Sequence, residues 1–213
     1  MIQIDIRQKR FGDDAVLGPI SFDIAAGETV ALSGPSGIGK TTLLRVVAGI
    51  DPDFDGQIMR PDRLAIVFQE PNLLPWRSAL DNLILIHRDL SPADAEAALS
   101  DVGLEGKGGL FPGQLSLGQQ RRLSLARAFA GQPEFLIMDE PFVSLDAETA
   151  ETMLTLTEAL IAQHRPATLF VTHSKPEAQR LSDRTLSLIS GPDGAVLGED
   201  YSAGSVATPG ATR

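Results

Sequence analysis

The chain opens on alternation. "MIQIDIR", residues 1–7, sets apolar against polar positions with the period of two that marks a half-buried strand. "AVLGPISFDI" continues as a second strand with a break at Gly18-Pro19, so a small sheet is expected at the amino terminus. "ETVALS" is then a short run of the buried type, "GPSGIGK" is rich in glycine, and "TLLRVVAG" has helical apolar spacing with Gly49 as its stop. "RLAIVFQE" reads as another short strand, bringing Gln69 to a strand end before the turn-forming "PNLLPW". From there to about Ala130 the pattern is mostly helical, with Ser91-Pro92 starting one helix and Gly103 ending it. Strand signals return in "EFLIMD" and "ATLFVT", separated by the long helical pattern "AETAETMLTLTEALIAQ" that stops before Pro166. Such alternation predicts parallel strands joined by crossover helices. The tail from Gly191 is expected to form a last hairpin and to end in a disordered run of small and polar residues.

Composition narrows the function classes. With 213 residues, the chain can bury a substantial core as one domain, or one domain with a subdomain. Its formal net charge of -10, with no concentrated basic run to offset it, argues against nucleic acid as the main partner. Cysteine is absent, which excludes disulfides, thiolate metal sites and cysteine nucleophiles and is compatible with the cytoplasm. The first residues lack the apolar core of a signal peptide, and no apolar run approaches the length of a membrane span. Any membrane association is therefore expected through a partner.

The glycine-rich stretch supplies the first candidate chemistry. Gly34, Gly39, Lys40 and Thr41 match G-x-x-x-x-G-K-[ST], with Pro35, Ser36, Gly37 and Ile38 inside the loop and Thr42 just after it. Glycines let several backbone N–H groups point inward, the following helix adds its positive end, Lys40 reaches the β- and γ-phosphates, and the Thr41 hydroxyl ligates Mg²⁺. Asp139 and Glu140 follow an apolar strand, where open α/β sheets bind ligands. One carboxylate suits Mg²⁺ and the other an attacking water, although a "DE" pair taken alone also fits a solvated turn. Ser116 and Gln119 form a capping-box pattern before "LARAFA", which reads as a well-capped helix and equally as a second anion site. His173 after "ATLFVT" and Gln69 after "AIVF" each fit a turn residue or a ligand contact.

The order of these motifs carries a resemblance. "GPSGIGKTT", the glutamine at Gln69, "LSLGQ", Asp139-Glu140, "SLDA" and His173 together make the chain resemble the ATP-binding-cassette ATPases, over residues 1 to about 198. The resemblance implies an α/β fold: a P-loop NTPase core with a mostly parallel sheet, an N-terminal antiparallel β subdomain and a helical insertion subdomain. It divides the chain into a core (1–73 and 131–198), a helical part (74–130) and a tail (199–213). It implies ATP and Mg²⁺ as cofactors, with catalysis by Lys40, Gln69, Glu140 and His173 and the metal on Thr41, Gln69 and Asp139. Phe11 falls where an aromatic stacks on adenine, and Asp146 of "SLDA" joins the nucleotide contacts. Two cassettes would sandwich the nucleotides, so that Ser116, Gly118 and Gln119 serve the partner's ATP. Leu117 departs from the commonest signature, "LSGGQ", and would be strained if that position required positive φ.

Within the family, "VFQEPNLLPWRSALDN" looks like the importer cassettes for nitrate, sulfonates and taurine, with Trp76 expected in a groove that receives a helix from a membrane subunit. The expected partners are a second cassette, as homodimer or pseudo-dimer, transmembrane permease subunits and, indirectly, a substrate-binding protein. The expected location is the cytoplasmic face of the membrane. The alternatives are an exporter subunit and a soluble cassette with a role outside transport.

Overall fold

Both faces of the central sheet are covered, and the strand sequences show why. In a computed structural model of the protein, which describes residues 1–87 and 89–198, β4 (Thr29–Ser33), β6 (Leu64–Val67), β7 (Phe135–Asp139), β8 (Ala167–Val171) and β9 (Arg184–Gly191) run parallel in the order β9-β4-β8-β7-β6. Continuous apolar runs such as "FLIM" and "ATLFV" suit strands buried on both sides. Alternate residues of these strands feed two cores. Ala31, Leu136, Met138 and Phe170 pack with Leu83 of α2 (Ala79–Ile84), Leu99 of α3 (Pro92–Asp101), Leu123 of α4 (Leu117–Ala130) and Leu154 of α5 (Ala147–His164). Val30, Leu32, Ile137, Leu169 and Val171 pack on the other side with Leu43, Val46 and Val47 of α1 (Lys40–Val47).

That second core also takes the antiparallel strands. β1 (Ile2–Phe11) contributes Ile2, Ile4 and Ile6, and β3 (Ile20–Ile24) contributes Ile20, Phe22 and Ile24, the alternation expected of half-exposed strands. The break at Gly18-Pro19 separates β3 from β2 (Asp14–Leu17), so the single interrupted strand of the sequence reading is two strands, both antiparallel to β1. β10 (Gly194–Leu197) pairs antiparallel with β9 and parallel with β2, joining the two parts of a ten-stranded sheet.

The hairpin expected in the tail is thus present but begins earlier, at Arg184. β9 escapes the sequence reading because "RTLSLISG" mixes polar residues into a strand that is only partly buried. β5 (Asp55–Met59), paired with β1, escapes because "DGQIM" has no apolar alternation to detect. The expected disordered tail, 199–213, lies outside the described residues.

The topology fixes where chemistry can occur. Leu32 pairs with Val171 and Val171 with Asp139, so β4, β8 and β7 end side by side. The loops that follow, residues 34–39, Thr172-His173 and Glu140, therefore meet at one edge of the sheet, the usual ligand edge of open α/β folds.

Candidate functional site

Gly39 caps α1 with φ 113, and a Cβ there would stand 3.0 Å from Leu17 Cδ2 and 3.3 Å from Val16 Cγ1. Gly34, at φ 146, would bring a Cβ to 2.8 Å from the Leu188 carbonyl oxygen. Both positions disfavour a side chain by conformation, and Gly34 excludes one by space as well, so the loop closes tightly over the helix end. No side chain caps α1, which leaves its first N–H groups to a ligand. Lys40, 6% exposed, donates to the Gly34 and Pro35 carbonyls, at 2.9 Å each. Burial lowers its pKa, while the nearby charges of Glu140 and Asp139 push the other way. An anion in the cradle would complete the compensation of this cation.

Opposite the loop stand the acids. Burial raises the pKa of Asp139 and the Glu140 charge adds to it, against a hydrogen bond from Thr41 and the charges of Arg45 and Lys40. Glu140 adopts φ 48, a left-handed conformation that costs a β-carbon residue about 1 kcal/mol or more, and its N–H donates to the Val171 carbonyl at 3.1 Å. Its Oε1 lies 2.6 Å from His173 Nε2. His173 sits in a loop held from below, where the buried Thr172 hydroxyl donates to Glu177 and accepts from the Ser174 N–H. The result is an open cleft of about 290 Å³ lined by Ser36, Gly37, Gly39, Lys40, Thr41, Thr42, Glu140 and His173, together with Val16. Asp139 and Thr41 share the adjoining wall. A carboxylate and a hydroxyl on the same wall are hard oxygen donors suited to a hard divalent cation. Among the described residues no three His, Cys, Asp or Glu side chains gather as a metal cage, so a cation here would complete its shell with water and phosphate.

Other expected site residues stand apart from this cleft. Ser116 caps α4, accepting from the Gln119 N–H at 3.2 Å, while Gln119 Oε1 accepts from the Ser116 N–H at 3.0 Å. Gly118 lies in that first turn. So does Leu117, in helical conformation and without positive φ, so the departure from "LSGGQ" strains no backbone. Asp146 caps α5 through the Thr149 N–H at 2.9 Å, and that residue's hydrogen bonds hold its carboxyl below the usual range. Gln69 lines a second groove of about 630 Å³ with Leu73, Pro75, Leu117 and Arg121. Trp76, next to Pro75, is 68% exposed. Phe11 ends β1 and is 53% exposed, outside the lining of the phosphate cleft.

The sequence reading passed over several residues that shape these surfaces. Lys9 pairs with Leu17 while Arg10 pairs with Ala15, so Val16 is the extra residue of a β-bulge, which turns it toward the cleft. A bulge leaves no periodic mark in so short a strand. Arg121 donates to the carbonyls of Pro141 at 2.7 Å and Val143 at 2.9 Å, and Arg127 to those of Pro71 and Asn72 at 2.9 Å. α4 thereby grips the loops that follow both Glu140 and Gln69. Nothing in "GQQRRLSLAR" sets Arg121 and Arg127 apart from ordinary helix positions.

The chain is similar to known proteins. Residues 17–143 match the family model described as "ABC transporter". The aliphatic sulfonates import ATP-binding protein SsuB 3 of Paraburkholderia xenovorans (strain LB400) is 46% identical over 185 residues, 86% of this chain and 75% of that protein. SsuB 3 of Rhodococcus jostii (strain RHA1) is 45% identical over 186 residues, 86% of this chain and 69% of its own length. Among solved structures, a dimeric ATP-binding cassette in a post-hydrolysis state bound to ADP and Pi superposes with a TM-score of 0.79 at 27% identity, covering 95% of this chain and 98% of that one. By the family match over more than half its length and by relatives of this similarity, the chain belongs to the ABC transporter family, as one of its ATP-hydrolysing cassettes.

Proposed function

We propose that this cassette drives import of a small organic anion, of the sulfonate class, by hydrolysing ATP between two copies or a copy and a close relative. One observation carries the shared-site reading. The cleft gathers Lys40, Thr41, Glu140 and His173, whereas Ser116 and Gly118, the other expected phosphate contacts, belong to a separate helix end. A second chain would bring its own α4 over the open side of the cleft. The dimeric state of the structural relative supports this arrangement, and the names of the sequence relatives support the cargo class.

In this reading the triphosphate lies on the loop from Gly34 to Thr42, and Lys40 leaves the carbonyls of Gly34 and Pro35 for the β- and γ-oxygens. Glu140 orients or deprotonates the attacking water, and His173 fixes the carboxylate through the contact at 2.6 Å. Mg²⁺ held by Thr41 and Asp139 would neutralise charge on the phosphate oxygens. Gln69, in the neighbouring groove, reaches the metal side of the site as the cassettes close and carries that closure to whatever occupies the groove. Among the described residues no helix is long and apolar enough to cross a membrane, which suits a subunit held at the cytoplasmic face by permease subunits, with a substrate-binding protein delivering the cargo to them.

Trp76 supplies the test. An exposed indole that fills a pocket of a membrane subunit is worth about 2 kcal/mol or more, so Trp76→Ala should weaken co-purification with that subunit by roughly thirtyfold. Its thermal midpoint should stay within about 1 °C of the parent, because the side chain packs little in the free chain. Unchanged co-purification would remove the groove from the transport reading.

A further inference from the structure

Lys9 is the largest polar side chain the fold hides completely, and nothing in the reaction described so far uses it. The residue is 2% exposed. Its ammonium donates to Asp51 Oδ1 at 2.8 Å and to the Asp53 carbonyl at 2.5 Å, with Asp53 Oδ2 at 3.6 Å. It also stands 4.5 Å from the centroid of the Phe11 ring, within cation–π range. The hydrogen bond from Lys9 holds the Asp51 carboxyl below its usual range.

Asp51 is not a loose partner. Its N–H and that of Ile50 donate to the Arg45 carbonyl at 3.1 and 2.9 Å, which ties it to the last turn of α1, the helix whose first turn follows the phosphate loop. One buried ammonium therefore connects α1 with the ring that the family resemblance assigns to the adenine. On one side is α1; on the other is an aromatic ring, 53% exposed, at the end of β1. A cation seated on one face of a ring fixes the ring's orientation and leaves the other face to a stacking ligand.

We propose that Lys9 is a positioning residue for the nucleobase: anchored to α1 through Asp51, its ammonium holds Phe11 so that the open face of the ring meets the base at a set distance from the phosphate loop. The proposal rests on the reading of Phe11 as the base-stacking aromatic. Lys9 touches neither base nor phosphate and acts only through Phe11.

Calorimetric Kd values for ATP and for inorganic triphosphate, measured with Mg²⁺ on the full chain, separate the two ideas. Phe11→Ala should weaken ATP about tenfold and leave triphosphate unchanged. Lys9→Met should weaken ATP about fivefold, again without effect on triphosphate, and should raise the KM for ATP at constant kcat. Lys9→Arg, which keeps a cation over the ring, should restore most of the loss, and Lys9→Met added to Phe11→Ala should cost no further ATP affinity. If Lys9→Met is too unstable to purify, Asp51→Asn loosens the same ammonium from a side chain that is 20% exposed and should give the same selective loss. Equal weakening of both ligands would mean that Lys9 supports only the fold, and unchanged ATP affinity alongside a loss in Phe11→Ala would remove Lys9 from base positioning. Unchanged ATP affinity in Phe11→Ala would overturn the stacking reading itself, and this inference with it.

Discussion

Two helix ends in this molecule present opposite solutions to the same shortage of hydrogen-bond partners. α1 starts at Gly39, which has no side chain with which to cap, and its first N–H groups face a cleft with a buried lysine beside it. α4 starts at Ser116, and a reciprocal box between Ser116 and Gln119 satisfies its end from within the chain. The first end is incomplete without an anion. The second is already capped from within the chain, and would bind an anion only by sharing the Ser116 hydroxyl and the N–H groups that the cap leaves over. For the shared site proposed above, the difference implies an order of events: nucleotide would bind first, through α1 in one chain, and α4 of the other chain would join weakly and later. Weak, late engagement is what a cyclic machine requires if the pair is to reopen.

The largest effect expected from breaking this asymmetry is at Lys40. Lys40→Ala removes the one cation fixed between the loop and the acids, and ATP affinity should fall by about a hundredfold or more, as charge-assisted contacts in a partly desolvated cleft are the strong ones. Isothermal titration with ATP and Mg²⁺ checks it. Near-parental affinity would mean that α1 is no more an anion site than α4.

A smaller effect on ATP binding, but a sharper comparison, comes from the second helix end. Glu140→Gln keeps the shape of the side chain and removes the carboxylate that handles the water, so turnover should drop by about 10²–10⁴ while ATP persists and the pair stays closed. Light scattering with ATP should then report a dimer. Adding Ser116→Arg puts a bulky cation at the α4 end and destroys its cap, which alone costs about 1 kcal/mol. The double variant should be monomeric and still bind ATP through its own Lys40. Dimers as abundant as those of Glu140→Gln would reduce Ser116 to a helix cap.

How far the sequence foretold this contrast depends on the range of the interactions involved. The glycine-rich loop was legible because most of what it requires is local: glycines at three positive-φ positions, a lysine and a hydroxyl at fixed spacing. The Ser116 box was legible for the same reason, being a contact across three residues. Convergence of Glu140 with His173 was implied only through the order of family motifs, because it depends on the register between β7 and β8. Val16, Lys9 and Arg121 were not legible. Each acts through a bulge or a long-range contact, and nothing in the neighbouring residues distinguishes them from ordinary strand or helix positions.

The smallest expected effect concerns stability, and it tests whether the acid wall of the cleft is strained in the absence of ligand. Asp139 has its pKa raised, chiefly by burial and further by the Glu140 charge, so the folded chain holds that proton more tightly than the unfolded chain does. The sign follows from linkage. Below the ordinary aspartate pKa of about 3.9 the carboxyl is protonated in both states and contributes nothing; as pH rises through and above that value the unfolded state ionises more readily, and the folded state loses relative stability. At neutral pH Asp139 therefore costs stability, which Thr41, Arg45 and Lys40 offset in part and a cation at the Thr41 side would relieve further. Asp139→Asn keeps the hydrogen bond with Thr41 possible and removes the charge. Without nucleotide or divalent cation at pH 7, its Tm should exceed that of the parent by on the order of 1–2 °C, and the gain should narrow as the pH is lowered toward the ordinary aspartate pKa of about 3.9. Millimolar Mg²⁺ with ATP should reverse the ranking, stabilising the parent more than the variant. A variant no more stable than the parent at pH 7 would mean that water and the neighbouring cations already compensate Asp139, and that α1 alone, rather than the acid wall, is the part of this site left incomplete.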